Sequence, residues 1–125
     1  MKKLIALVDS SIYAQSVCDH AAWIAQRTGA AVELMHVIGR AETADAPANL
    51  SGNITLGART ALLEELSALD EQRAKLSQKH GRAILDDARA SIEAAGVAAV
   101  TVRLRIGDFV ETVAESEADA DMVVI

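Results

Sequence analysis

Asp9 is the strongest candidate for a functional residue in the sequence. It comes directly after the unbroken apolar run Leu4–Val8, a pattern typical of a strand covered on both faces. A carboxylate at the carboxyl end of such a strand can accept hydrogen bonds from a sugar hydroxyl or from the amine of a base. Together with Ser10 and Ser11 it could equally form a turn or cap the helix that follows. Both interpretations of Asp9 stay open at this point.

No catalytic group of residues can be assembled from the motifs of the chain. Ser10 and Ser11 follow a strand but lack a Gly-x-Ser-x-Gly elbow, so a capping role is favoured over a nucleophile's. Gly52 and Gly57 have the spacing of a phosphate loop, but Ala58-Arg59 replaces the Lys-Ser/Thr pair that would bind the phosphate. This stretch is therefore interpreted as a loop, and no catalytic residue is assigned.

The potential metal ligands are also poorly arranged. Cys18 is the only cysteine and lies on the apolar stripe of a predicted helix, where it is expected to be a small buried hydrophobe. The three histidines, His20, His36 and His80, have no metal-ligand spacing in any combination. His36 lies within a predicted strand and is interpreted as a core histidine with satisfied hydrogen bonds. No metal site is predicted.

Composition and charge argue against a nucleic-acid or membrane partner. The chain has 12 basic and 18 acidic residues, a formal net charge of −6, and only one each of Phe, Trp and Tyr. A nucleic-acid binder normally has a basic face and aromatic stacking platforms. The basic start, Met1-Lys2-Lys3, is followed by only five apolar residues before Asp9, too few for a signal peptide or a membrane span. We therefore expect a cytoplasmic protein.

The hydrophobic pattern alternates between strand and helix periods, in the order β-α-β-long α-β-α-β. Strands alternating with helices imply parallel pairing and right-handed crossovers. Each predicted helix is preceded or followed by capping residues, among them Gly29 at the end of the first and Asp108 with Glu111 at the start of the last. The predicted strands are Leu4–Val8, Ala31–Ile38, Val100–Ile106 and Asp121–Ile125, and the predicted helices are Ile12–Thr28, Ala58 to about Ala95, and a short one ending near Ala118.

These elements predict an open parallel α/β sheet with helices on both faces, a Rossmann-like arrangement. The first and last strands are apolar throughout and should be central and buried, whereas Val100–Ile106 alternates with polar residues and should lie at an edge. The strand order 3-2-1-4(-5) satisfies this. It puts a topological switch point between strands 1 and 4, so a ligand site is expected around Asp9.

The middle of the chain is the least regular part. One domain over residues 1–125 is expected, with an insertion at 40–69. Glu42–Asn53 offers no periodic apolar face and should be mobile or extended. The long helix would measure roughly 60 Å if unbroken, so it should bend, break or project as an arm, with Gly81 a candidate break. The chain ends within the fourth strand, so a last helix and strand are expected to be missing.

Taken together, the motifs resemble those of the universal stress protein family. The match covers nearly the whole chain except about Arg40–Leu69, and that longer middle part resembles the first half of tandem family members. The motifs that carry the resemblance are Val8-Asp9-Ser10, Arg27-Thr28-Gly29-Ala30, Leu34-Met35-His36-Val37, Arg105-Ile106-Gly107-Asp108 and Ala120-Asp121-Met122-Val123-Val124-Ile125.

The resemblance implies a stress-response protein that binds ATP or AMP, pairs as a homodimer or with a tandem domain, and catalyses no defined reaction, with weak ATP hydrolysis left open. By resemblance, Asp9 would contact the adenosine moiety, the backbone of Val37 the adenine edge, and Gly107 would let the backbone approach the nucleotide closely. The chain departs from the family pattern at Phe109, where a proline is usual. The family's glycine-rich phosphate-binding motif would begin only after Ile125.

Two alternatives remain beside nucleotide binding. The first is a dimerising scaffold of the same family that binds no nucleotide. The second, weaker one is an enzyme of the adenine-nucleotide α-hydrolase type, for which the chain offers no catalytic base, metal cluster or second substrate pocket. Glycines and a Ser/Thr after Ile125 would favour binding, and bulky or acidic residues there would favour the scaffold.

Overall fold

The computed structural model describes residues 1–39 and 56–125, which form four strands and three helices. The strands form one parallel sheet in the order β3-β2-β1-β4, as the sequence predicts. The elements are β1 (Lys3–Leu7), α1 (Ala14–Thr28), β2 (Ala31–Ile38), α2 (Leu56–Ala94), β3 (Val100–Ile106), α3 (Phe109–Glu117) and β4 (Met122–Val124).

Side chains alternate between the two faces of the sheet along each strand, and different helices cover the two faces. On one face, Leu4 and Leu34 pack against Cys18 of α1 and Leu85 of α2. On the other face the core is smaller and includes α3, with Val113 packed against it; its members are Ile5, Leu7, Met35, Val37, Val113, Ala120 and Val123. Cys18 is buried, which agrees with its interpretation as a core residue.

β1 and β2 end at different levels, and this offset positions the candidate site. The last β1 residue, Leu7, lies opposite Met35, and the amide of Val8 donates to the Met35 carbonyl at 2.9 Å. β2 then continues to Ile38, paired along that part with β3 alone. The last residues of β2 therefore pair with β3 on one side and lie beyond the end of β1 on the other.

The fourth strand differs from its prediction. β4 pairs in parallel with β1, as expected, but Met122 is exposed and Val123 and Val124 are only half-buried. The expectation of a central, buried last strand is therefore wrong for the described residues. A purely apolar strand sequence does not distinguish a central strand from an edge strand, and among the strands of residues 1–39 and 56–125 only β1 lies beside β4.

α1 begins later than its apolar periodicity predicts. The hydroxyl oxygen of Ser11 accepts from the amide of Tyr13 at 3.2 Å, and the Ser11 carbonyl accepts from the amide of Ala14 at 3.3 Å. These bonds form a turn over Ser11–Tyr13, so the helix starts at Ala14 instead of Ile12. Its end is as predicted, since Gly29 has φ +73° and its amide donates to the Ala25 carbonyl.

α2 is unbroken over its 39 residues, a length of about 58 Å. None of the side chains described between residues 60 and 80 is buried, whereas Leu85, Ala88 and Ile92 belong to the core. Of the three predicted outcomes, the helix therefore projects as an arm, which we define as residues 56–80. None of the helices in residues 1–39 and 56–125 is long and apolar enough to cross a membrane.

Part of the middle of the chain cannot be compared with its prediction. Residues 40–55, including the whole Glu42–Asn53 stretch, lie outside the described residues. Residues 56–69 form the first part of α2. The predicted insertion at 40–69 stays a prediction.

Gly81 is a point of close contact and not a break. A Cβ atom at this position would lie 2.8 Å from Cδ1 of Leu104 and 2.9 Å from Cδ2 of His36. Both distances are below normal van der Waals contact, so the absence of a side chain lets α2 approach β2 and β3. Gly81 is also the first buried residue after the arm.

Replacing Gly81 with alanine should destabilise the fold by about 1 kcal/mol. Overpacking in a filled site costs about 1–3 kcal/mol, and the better helix propensity of alanine offsets about 1 kcal/mol. Urea unfolding of Gly81→Ala, Leu104→Ala and the double variant measures this. We expect the double variant to lose less stability than the sum of the two single variants; strict additivity would contradict the proposed contact.

Candidate functional site

A cleft of about 460 Å³ lies at the carboxyl ends of β1 and β2. A neighbouring depression of about 390 Å³ extends towards Ile125 beyond β4 and shares Asp9 and Phe109 with the cleft. Asp9 therefore lies between the two, at the switch point that the strand order predicts. The cleft is lined by Leu7, Val8, Asp9, Ser10, Ser11, Met35, His36, Val37, Gly39 and Phe109.

Asp9 closes the turn after β1 and also lies at the cleft. Its Oδ1 atom accepts a hydrogen bond from the amide of Ser11 at 2.9 Å, which closes the turn after β1. The residue is nevertheless exposed and lines the cleft. A carboxylate offers about four acceptor positions, so bonding to Ser11 leaves acceptor capacity for a ligand.

The pKa of Asp9 is below the ordinary value of 3.8. Hydrogen bonding from the side chain of Ser11 is the largest cause, followed by the bond from the Ser11 amide, and partial burial opposes both. The nearby His36 lowers the pKa further. Asp9 is therefore a carboxylate near neutral pH and can act only as a hydrogen-bond acceptor there.

The backbone of Val37 also faces this region. In a parallel strand the N–H and C=O groups of one residue point to the same side, and successive residues point to opposite sides. The Met35 carbonyl is bonded to Val8 of the β1 side, and the Ile38 carbonyl accepts from Gly107 on the β3 side. The N–H and C=O of Val37 therefore point to the β1 side, beyond the last β1 residue, Leu7.

His36 is held at the edge of the same cleft. Its Nδ1 atom lies 2.8 Å from the carbonyl oxygen of Val8, and because a carbonyl only accepts, Nδ1 carries the hydrogen. The predicted satisfied histidine is thus confirmed, but the ring is half-buried and lines the cleft instead of lying in the core. The position of His36 within a strand gave no signal in the sequence that its ring would line the cleft.

Gly107 acts at a distance from the cleft. Its φ of +153° lies in the region that favours glycine, and its amide donates to the Ile38 carbonyl at 3.0 Å. The next residue, Asp108, caps α3 by accepting from the amide of Glu111 at 2.9 Å, as predicted. Gly107 is not among the lining residues, but this turn sets the position of Phe109, the first residue of α3, which is.

Two aromatic side chains border the site. Phe109 lines both the cleft and the neighbouring depression, and Tyr13 lines the depression only. Each is substantially exposed. Sequence reasoning noted Phe109 only as a departure from a family pattern, since contact with β1 and β2 depends on the tertiary fold.

Within residues 1–39 and 56–125, no Lys or Arg side chain lines the cleft or the depression. The remaining polar candidates lie elsewhere: His20 is on the exposed side of α1, bonded to the Ser16 carbonyl, and His80 is exposed on α2. Gly52 lies outside the described residues. In the described part of the chain, the predicted residues that come together at the cleft are Asp9 and Val37.

Comparison with known proteins gives a consistent result. A family model described as the universal stress protein family matches residues 1–125. The chain is 30% identical over 126 residues to a universal stress protein of Synechocystis, which covers 100% of this chain and 44% of that protein. The chain thus spans less than half the length of this curated relative.

The fold is similar to those of solved universal stress proteins. A family member from Burkholderia pseudomallei superposes with a TM-score of 0.66 at 20% identity, covering 98% of this chain and 78% of that one. A universal stress protein in complex with cAMP superposes with a TM-score of 0.60 at 19% identity, covering 99% and 75% of the two chains. At these identities the likeness establishes the fold.

The lowered pKa of Asp9 predicts a pH-dependent contribution to stability. Because the folded pKa lies below the unfolded one, the contribution is present above about pH 4 and is lost as the pH falls through the folded value. It should stay below about 1 kcal/mol, because solvent screens an exposed carboxylate. Thermal melts of wild type and Asp9→Asn between pH 2.5 and 7 should converge at the acid end; a difference that widens towards low pH would contradict this.

Proposed function

The chain belongs to the universal stress protein family, and from that membership we propose that its cleft binds an adenine nucleotide, ATP or AMP, in a stress response. The observation that carries the proposal is the pairing of two features at one edge of the sheet. The N–H and C=O of Val37 point beyond the end of β1, and the exposed carboxylate of Asp9 lies at that end.

The backbone of Val37 suits the edge of an adenine base. Adenine presents an amine donor at N6 beside the ring acceptor N1, and one residue of an extended strand presents a C=O acceptor and an N–H donor on the same side. Two such bonds would satisfy both backbone groups of Val37. This pairing also favours adenine over a base whose edge has the opposite order of donor and acceptor.

Asp9 suits the sugar. Its ionised carboxylate accepts hydrogen bonds, and ribose hydroxyls are donors that can meet it. Phe109, which lines the cleft beside Asp9, supplies an apolar surface against which the nucleoside can be desolvated. Gly107 contributes through the turn that positions Phe109, and not through a contact of its own with the base or the sugar.

The role we propose is binding and not catalysis. The lining residues include one carboxylate, one histidine bonded to a backbone carbonyl, and two serines in a turn, and these do not form a nucleophile with an oriented base. A family member solved with cAMP supports a nucleotide as the ligand class. The net charge of −6 argues against a nucleic-acid partner. The compartment that we propose is the cytoplasm.

Replacing Asp9 with alanine should weaken binding of ATP or AMP by on the order of 1–3 kcal/mol, the scale of a lost charge-assisted hydrogen bond. That corresponds to a rise in Kd of about 5-fold to 150-fold. Calorimetric titration of wild type and Asp9→Ala measures it, with a thermal melt to show that the fold is retained. Asp119→Ala, an exposed carboxylate at the opposite end of the sheet, is the matched control.

Unchanged affinity in Asp9→Ala would remove this residue from the site and leave it a turn residue. Absence of any heat of binding in the wild type would contradict the proposal as a whole. It would favour the scaffold that binds no nucleotide.

The affinities for ATP, AMP and adenosine should differ by less than about tenfold, because none of the described residues that line the cleft is a Lys or an Arg that could add the energy of a charged phosphate contact. Competition of the three ligands for one fluorescent adenine nucleotide would rank them. A preference for ATP of a hundredfold or more would contradict recognition through the nucleoside.

A further inference from the structure

The arm carries a stripe of leucines that does not face the sheet. Leu62, Leu66, Leu69 and Leu76 recur at helical spacing and therefore share one side of α2. At 3.6 residues per turn, this stripe lies roughly 115° around the helix from the side that packs on the core. Leu69 and Leu76 are 58% and 65% exposed. A helix side of this kind is unusual on the surface of a monomer.

Beyond Arg59, charge is distributed along the arm and the two residues that follow it in two halves of opposite sign. Between residues 60 and 71 the charged side chains are all acidic, and residues 72–82 contain Lys and Arg but no Asp or Glu. A second copy of the arm laid antiparallel brings each acidic half against a basic half, whereas a parallel copy brings like charges together. The acidic side chains are Glu64, Glu65, Asp70 and Glu71, and the basic ones are Arg73, Lys75, Lys79 and Arg82.

We propose that the arm is a self-association surface on which a second copy of this chain binds antiparallel. The leucine stripes of the two arms face each other, and the acidic half of each arm lies along the basic half of the other. The charge pattern selects a second copy as the occupant, because the arm is complementary to itself when reversed. The surface lies on the arm, away from the cleft at the ends of β1 and β2.

Glu65 and Lys79 provide the sharpest test of this arrangement. Both flank the leucine stripe, and they are 14 positions apart in the sequence, about 21 Å along the helix axis. They are too far apart to form an ion pair within one straight helix. In an antiparallel pair centred near residue 72, Glu65 of each chain lies beside the partner's Lys79.

Charge reversal should therefore weaken the dimer in each single variant and restore it in the double variant. We expect Glu65→Lys and Lys79→Glu each to raise the dimer Kd about tenfold, since two equivalent pairs become repulsive in each dimer. The variant carrying both changes should return to within about threefold of wild type. An equimolar mixture of the two single variants should form a heterodimer tighter than either homodimer.

Sedimentation velocity of the full chain over a range of concentrations measures these constants, with circular dichroism to confirm that each variant is folded. Glu117→Lys, at an exposed residue of α3, makes the same charge change away from the arm and should leave the Kd unchanged.

The apolar contact is tested separately by Leu69→Asp, which should abolish the dimer. The control is Ala68→Asp, which should not weaken the dimer, because Ala68 lies on neither the leucine stripe nor the packed side of the helix.

The proposal is overturned if the wild-type chain stays monomeric throughout the concentration range. It is also overturned if a dimer forms but is insensitive to Glu65→Lys and Leu69→Asp, because its interface then lies elsewhere. Additive weakening in the Glu65→Lys, Lys79→Glu double variant would contradict the antiparallel arrangement. Rescue in that variant supports it, since no contact within one chain joins the two residues.

Discussion

β2 extends past the carboxyl end of β1, and this offset leaves the N–H and C=O of Val37 with none of the described strands beside them on the β1 side. Backbone groups are obligatory hydrogen-bonding groups, so a donor and an acceptor in this position need a partner from outside the described strands, which a bound base can supply. The same offset puts the turn at Asp9 directly beside them. A ladder in which β1 ran as far as β2 would fill this space and remove the site.

The contacts of His36 connect the cleft to the packing of the long helix. Its Nδ1 donates to the Val8 carbonyl, which ties β2 to the end of β1, while the far side of the ring meets the bare backbone of Gly81. A side chain at Gly81 would push either the ring or α2 away. The point where α2 joins the core and the edge of the cleft are therefore one packed unit, from which the arm projects.

Much of the fold could be predicted from the sequence because the pattern of each strand was informative. The alternation in Val100–Ile106 marked an edge strand, and the glycine and capping signals at Gly29 and Asp108 marked helix ends. Exposure of Met122 could not be predicted, since it depends on which strands lie beside β4 and not on its own composition. Gly81 looked like a helix break because sequence shows its propensity but not the ring and methyl group that press against it.

The sequence led us to expect a candidate site at Asp9, Val37 and the switch point, but it did not predict the walls of the cleft there. His36 and Phe109 reach the cleft through tertiary packing that no local spacing reports.

The central claim is that an adenine nucleotide binds at the carboxyl ends of β1 and β2. It is tested most directly by following backbone amide NMR shifts during titration with AMP. The largest shifts should fall at Val37 and at Asp9–Ser11, whereas Trp23, an exposed residue of α1, should be unaffected. Shifts centred away from the ends of β1 and β2, or none at saturating AMP, would contradict it.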